Sequence, residues 1–105
     1  MAVLEVKSES FEKEVLESEK PVVLDLFATW CGPCKMLRPV IEELSEEHPE
    51  VKFVSVDVDE EAEIAIRYGV SSIPCLVFLK NGEEVGRSVG FRPKDALEAA
   101  IGDLV

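Results

Sequence analysis

Seven residues, Val22-Val23-Leu24-Asp25-Leu26-Phe27-Ala28, constrain this chain more than any other stretch. Pro21 opens the run, and Cys31-Gly32-Pro33-Cys34 follows it after Thr29-Trp30. In an extended segment successive side chains point to opposite faces, and here both faces are apolar. That is the mark of a central strand covered on both sides, so helices are expected on both faces of its sheet. Asp25 breaks the apolar pattern. A carboxylate in such surroundings is costly unless paired or protonated, so its pKa is expected to rise.

The other elements arrange themselves around that strand. Val3-Leu4-Glu5-Val6 is a short strand. Ser8 or Ser10 is placed to cap a helix carrying Phe11, Val15 and Leu16. After the cysteine pair, Met36, Leu37, Val40, Ile41 and Leu44 recur at helical spacing as far as His48-Pro49, with Pro39 expected to kink the helix. Val51 to Val58 alternates as a strand, with Val54, Val56 and Val58 on one face. Glu60 to Tyr68 reads as a short helix with Ala62, Ala65 and Ile66 inward, ended by Gly69. Cys75 to Leu79 and Glu84 to Val89 form a hairpin through Asn81-Gly82. Pro93 opens a closing helix with Leu97, Ala100, Ile101 and Leu104 inward. The expected fold is α/β, one domain over 1–105, in the order β-α-β-α-β-α-β-β-α. Its mixed five-stranded sheet is expected to be parallel where helices intervene and antiparallel at the final hairpin.

Cys31 and Cys34 stand at the junction of strand and helix. With Cys34 in the first helical turn, Cys31 lies at the N-terminal mouth, where unpaired N–H groups and the helix dipole favour an anion. A thiolate is such an anion, and the thiolate is the nucleophile. No acid occurs between Asp25 and Glu42, whereas Lys35 and Arg38 do, and this neutral-to-basic window also favours a thiolate. Over the whole chain 22 acids outweigh 11 bases, a formal charge of −11 that argues against nucleic acid and anionic membrane surfaces as partners. No apolar run reaches membrane-spanning length, and Met1 to Lys7 lacks the basic lead and apolar stretch of a signal peptide. A cytoplasmic location is therefore expected, and three cysteines do not make a paired disulfide framework.

Trp30-Cys31-Gly32-Pro33-Cys34-Lys35 resembles the active site of the thioredoxins, and the resemblance covers nearly the whole chain. Asp25 stands where that family has a buried Asp, and Ile73-Pro74 is similar to its cis-proline loop. Lys80-Asn81-Gly82-Glu83 is similar to its hairpin, and Gly90 to a glycine beside its site. A Cys-x-x-Cys pair alone would be shared with zinc ligands; this combination is far more specific. The resemblance implies a thioredoxin fold and a protein-disulfide reductase. Cys31 would be the exposed nucleophile, Cys34 the deeper resolving thiol and Asp25 the proton acceptor, through a water. Gly32-Pro33 would tune the pair toward reduction. Trp30, Gly32, Pro33, Ile73, Pro74, Gly90 and Phe91 would form a shallow apolar surface for disulfide-containing proteins, although Trp30 could instead pack in the core. No bound cofactor is implied beyond the redox-active Cys31–Cys34 disulfide. The partner would be a thioredoxin reductase, and the chain would be a monomer. The alternative is a binding module that uses the same surface independently of redox chemistry.

Three residues depart from the family pattern. Phe27 stands where many members have Trp. Ser55 replaces a lysine that bacterial members often carry near the buried Asp, so Asp25 should hold its proton more strongly here. Cys75 follows Pro74 where Thr is usual. It reads most simply as a small buried hydrophobe; the alternatives are a third redox thiol or adventitious metal or iron–sulfur binding. His48, at the far end of its helix, reads as a helix-end residue, and no metal site is expected.

Overall fold

A computed structural model describes residues 3–105; Met1 and Ala2, the start of the lead segment discussed above, lie outside the described residues. The strands are β1 (Val3–Glu5), β2 (Val22–Phe27), β3 (Lys52–Asp57), β4 (Cys75–Lys80) and β5 (Glu83–Val89). The helices are α1 (Ser8–Phe11, continued by a wider π turn over Glu12–Leu16), α2 (Gly32–Glu47), α3 (Ala62–Arg67) and α4 (Lys94–Leu104). The sheet runs β1-β3-β2-β4-β5, so the strand with two apolar faces is the middle one.

Each face of the sheet carries its own core. Leu24, Leu26, Val54, Val56 and Val77 pack with Phe11 and Val15 of α1 and Ile64 of α3. On the other face Val23, Phe53, Leu76 and Phe78 pack with Leu37, Ile41 and Leu44 of α2 and with Leu97, Ile101 and Leu104 of α4. Full burial of each large side chain contributes about 1.5–3 kcal/mol relative to exposure, so both layers are needed to hold β2 in place.

The direction of β4 differs from the expectation. Helices lie between β2 and β4, yet the two pair antiparallel, with Leu26 opposite Cys75 and Val22 opposite Leu79. The reason lies in α3, which spans only six residues, about 9 Å. So short a helix does not carry the chain back along a six-residue strand of about 20 Å. The chain instead enters β4 at the edge where β2 ends. β5 then returns antiparallel and brings Val89 opposite Cys75 at that same edge. Three segments meet there as a result: the β2–α2 junction, the loop before β4 and the loop after β5.

Local differences have similarly physical origins. Lys7, not Ser8 or Ser10, occupies the N-cap position of α1 without a side-chain cap. The cap comes from far along the chain, since Ser8 donates from both its backbone N and its Oγ to Glu61 Oε1, at 2.8 and 2.7 Å. In α3 the inward residue is Ile64, whereas Ala62 and Ile66 are exposed. In α2 Leu37, Ile41 and Leu44 are buried but Met36 faces solvent, and the helix continues past Pro39. The hairpin turn is as expected, with positive φ at both Asn81 and Gly82.

Candidate active site

Cys31 is the N-cap residue of α2, with extended backbone, and Cys34 lies in the first turn. Gly32 and Pro33 form the exposed start of the helix, where proline's missing N–H costs no intrahelical bond. Cys31 Sγ accepts the backbone N–H of Cys34 at 3.2 Å. The two sulfurs are paired as a disulfide, with Cα atoms 5.2 Å apart. Cys31 is not the more exposed of the two: the pair is 5% and 6% exposed, because the bond turns each sulfur onto the other and both pack with Ala28. What separates them is their surroundings. Cys31 has the helix mouth and an N–H donor, which favour a thiolate. Cys34 lines a cleft of about 270 Å³ together with Asp25, Lys35 and Arg38.

Asp25 is 3% exposed on the α2 face of the sheet. Burial pushes its carboxyl up to about 7 from an ordinary 3.8, partly opposed by the positive charge of Arg38. Its neighbours on the adjoining strands are Ser55 of β3 and Leu76 of β4, and Leu76 in turn faces Ser88 of β5. Asp25 Oδ1, Ser55 Oγ and Ser88 Oγ are the buried side-chain polar atoms without a hydrogen-bond partner among the described residues. All three lie in this one cross-sheet row.

The loops complete the site. Ile73 packs against the cysteine cluster, and its bond to Pro74 is cis. Gly90, with φ +86°, donates its N–H to the Pro74 carbonyl at 2.8 Å, which ties the loop after β5 to the loop before β4. Phe91 follows in an exposed position. Trp30 is 69% exposed, so core packing is excluded for it. Its Nε1 donates to Asp59 Oδ2 at 2.8 Å, and with Ile73, Val58 and Val70 it lines an apolar groove beside the cysteines. The structure therefore brings the Cys31–Cys34 pair, Trp30, the Ile73-Pro74 loop and Gly90 to one edge of the sheet.

A family model described as Thioredoxin matches residues 2–103. The chain belongs to the thioredoxin family. It is 50% identical to a thioredoxin of Bacillus subtilis over 96% of both chains. It is 40% identical to thioredoxin 1 of a Nostoc species over 95% of this chain and 94% of that one, and 39% identical to a thioredoxin of Porphyra purpurea along its whole length and 99% of the relative. It is a thiol–disulfide oxidoreductase with its cysteine pair at disulfide distance in the active-site position. Thioredoxins draw electrons from a thioredoxin reductase and pass them to disulfide substrates, and the family needs no cofactor for this. No helix among the described residues is long and apolar enough to cross a membrane.

One residue of the site escaped the sequence reading, and another was read only as part of a basic window. Asp59, which pins Trp30, lies 29 residues from it and carries no local signal. Arg38 did carry one, standing four residues after Cys34 on the same helical face. Cys75 is placed away from the other two sulfurs. It is buried on the opposite face of the sheet, with Leu26 and Val77, and burial pushes its thiol up. The three cysteines do not form a cluster of ligand atoms within 4.8 Å; among the described residues only Glu47, His48 and Glu98 do. His48 caps the end of α2, with its ring nitrogens against Glu50 and Glu98.

Proposed function

We propose that this protein is a general cytoplasmic protein-disulfide reductase in which Cys31 attacks, Cys34 resolves and Asp25 manages the proton. The Cys31 thiolate strikes one sulfur of a substrate disulfide and expels the other as a substrate thiolate, leaving a mixed disulfide. The Asp25 carboxylate then takes the proton of Cys34, through water held in the shared cleft. The resulting thiolate attacks Cys31 Sγ and releases the second substrate sulfur. Two electrons have moved to the substrate, and the Cys31–Cys34 disulfide is re-reduced by a thioredoxin reductase.

The observation that carries these roles is the asymmetry around the pair. Cys31 holds the helix mouth and the N–H of Cys34, while Cys34 shares a cleft with a buried carboxylate. Trp30, Gly32, Pro33, Ile73, Gly90 and Phe91 offer an open, largely apolar surface, whereas Pro74, expected to belong to it, is buried. A monomer presents it unobstructed to many partners, and exposed backbone beside an apolar groove recognises extended chain segments without demanding one sequence. The free, buried Cys75 suits a compartment in which thiols stay reduced.

The test is reduction of insulin by dithiothreitol with and without the protein, paired with a Cys34→Ser variant. The wild type should accelerate precipitation of the insulin chains, and the variant should accumulate substrate disulfide-linked to Cys31. Absence of acceleration, with partners still bound by a Cys31→Ser/Cys34→Ser double variant, would instead establish a redox-independent binding module. Adducts forming faster on Cys34 in a Cys31→Ser protein than on Cys31 in the Cys34→Ser protein would reverse the two roles.

A further inference from the structure

We propose that Arg38 is the positioning residue that keeps Asp25 available as an ionised proton acceptor, with Glu42 as a counterweight that limits it. The inference rests on the reading of Asp25 as the proton acceptor and adds the group that governs its charge.

The geometry begins with helix spacing. Cys34, Arg38 and Glu42 follow one another at four-residue intervals and so lie in line along α2. Cys34 and Arg38 both line the cleft that contains Asp25, and Arg38 Nε donates to Glu42 Oε2 at 3.0 Å. A guanidinium has five N–H donors in a fixed fork, so this bond leaves most of the fork uncommitted. The group is also permanently charged, so its influence does not vary over the working pH range.

The other groups around Asp25 offer no comparable charge. From β3 comes the neutral Ser55 hydroxyl, and from β4 the apolar Leu76. Cys75, also on β4, is held in its neutral thiol form by burial. From α2 come Cys34, Lys35 and Arg38, of which Lys35 is exposed to water and Arg38 is partly buried. Asp25 Oδ1 has no hydrogen-bond partner to stabilise a negative charge. A carboxyl so placed stays protonated at neutral pH and cannot accept the Cys34 proton. The Arg38 cation opposes that burial penalty. By pairing with Arg38, Glu42 places a negative charge on the same helix face and weakens the effect.

The experiment follows the Asp25 carboxyl by ¹³C NMR titration and, in parallel, the pH profile of single-turnover disulfide reduction. Arg38→Met should raise the Asp25 midpoint by about one pH unit and move the acidic limb of the rate profile with it, slowing reduction near pH 7 by about 3- to 10-fold. Arg38→Lys should restore most of the midpoint, and Glu42→Gln should move it the other way. An Arg38→Met protein with wild-type near-ultraviolet circular dichroism and an unmoved Asp25 midpoint overturns the inference, as does Glu42→Gln moving the midpoint upward. An Asp25→Ala control keeps the two ideas apart. Wild-type rates in that variant would remove Asp25 as proton acceptor, whereas a slow Asp25→Ala beside an unaffected Arg38→Met would remove only Arg38.

Discussion

At the scale of single residues, the role proposed for Asp25 sets function against stability. Its folded-state pKa of about 7 lies above the ordinary 3.8, so between those values the folded protein binds a proton that the unfolded chain has released. Stability therefore falls as pH rises through that window, and the full cost, roughly 4 kcal/mol, is felt above it. Asp25→Ala should accordingly raise unfolding free energy by about 2–4 kcal/mol at pH 8.5 and change it little at pH 4, while slowing disulfide reduction. Urea denaturation at the two pH values, beside the insulin assay, checks this. A variant less stable at pH 8.5 and fully active would refute it. Asp25 could be read from the sequence because a carboxylate inside a two-faced apolar strand contradicts its surroundings. Arg38 carried only the weaker signals of its charge and its spacing from Cys34, since a basic residue on an amphipathic helix contradicts nothing. Trp30 is held by Asp59, a contact that exists only once β3 lies beside β2.

At the scale of elements, the hairpin shows how closely separate parts are fitted. Gly82 has φ +81°, and a Cβ there would come within 2.7 Å of the Leu16 carbonyl oxygen at the end of the π turn. Gly82→Ala should therefore destabilise by about 2 kcal/mol or more, combining backbone strain with a clash against rigid main chain. Gly102 in α4 has open space around its Cα, and Gly102→Ala should stabilise by up to about 1 kcal/mol. Melting temperatures moving in opposite directions would bear out both; equal shifts would refute the contact with Leu16. The Asn-Gly turn was legible because its backbone requirement is local. The facing of α3 was not, because six residues give less than two turns and do not separate an inward Ile64 from an inward Ile66. The direction of β4 was illegible for a further reason. Strand pairing is decided by partners distant in sequence, and the pattern of Cys75 to Leu79 suits either orientation.

At the scale of the whole molecule, charge and function are spatially sorted. The chain carries −11, yet its three longest acid-free stretches are 26–41, 64–82 and 85–94. Each supplies one of the segments that meet at the site: the cysteine pair, Ile73-Pro74 and Gly90-Phe91. Antiparallel β4 and β5 bring them to one edge of the sheet, so the molecule gathers its acid-poor segments, with Lys35 and Arg92 exposed and Asp59 beside Trp30, on an acidic body. Encounter and docking should then respond differently to salt. At low ionic strength, where charges act over tens of ångströms, the net charge repels acidic substrates and attracts basic ones. At high salt that field is screened and the apolar face dominates. Raising salt from about 0.02 to 0.5 M should speed reduction of an acidic disulfide protein several-fold and slow that of a basic one. Lys35→Glu should enlarge the salt response of the acidic substrate by extending the negative field across the site. Stopped-flow rates for two such substrates, in wild type and variant, make the comparison. If both substrates and both proteins gave the same salt dependence, the local face would govern encounter, and the acidic body would have no part in choosing what this protein reduces.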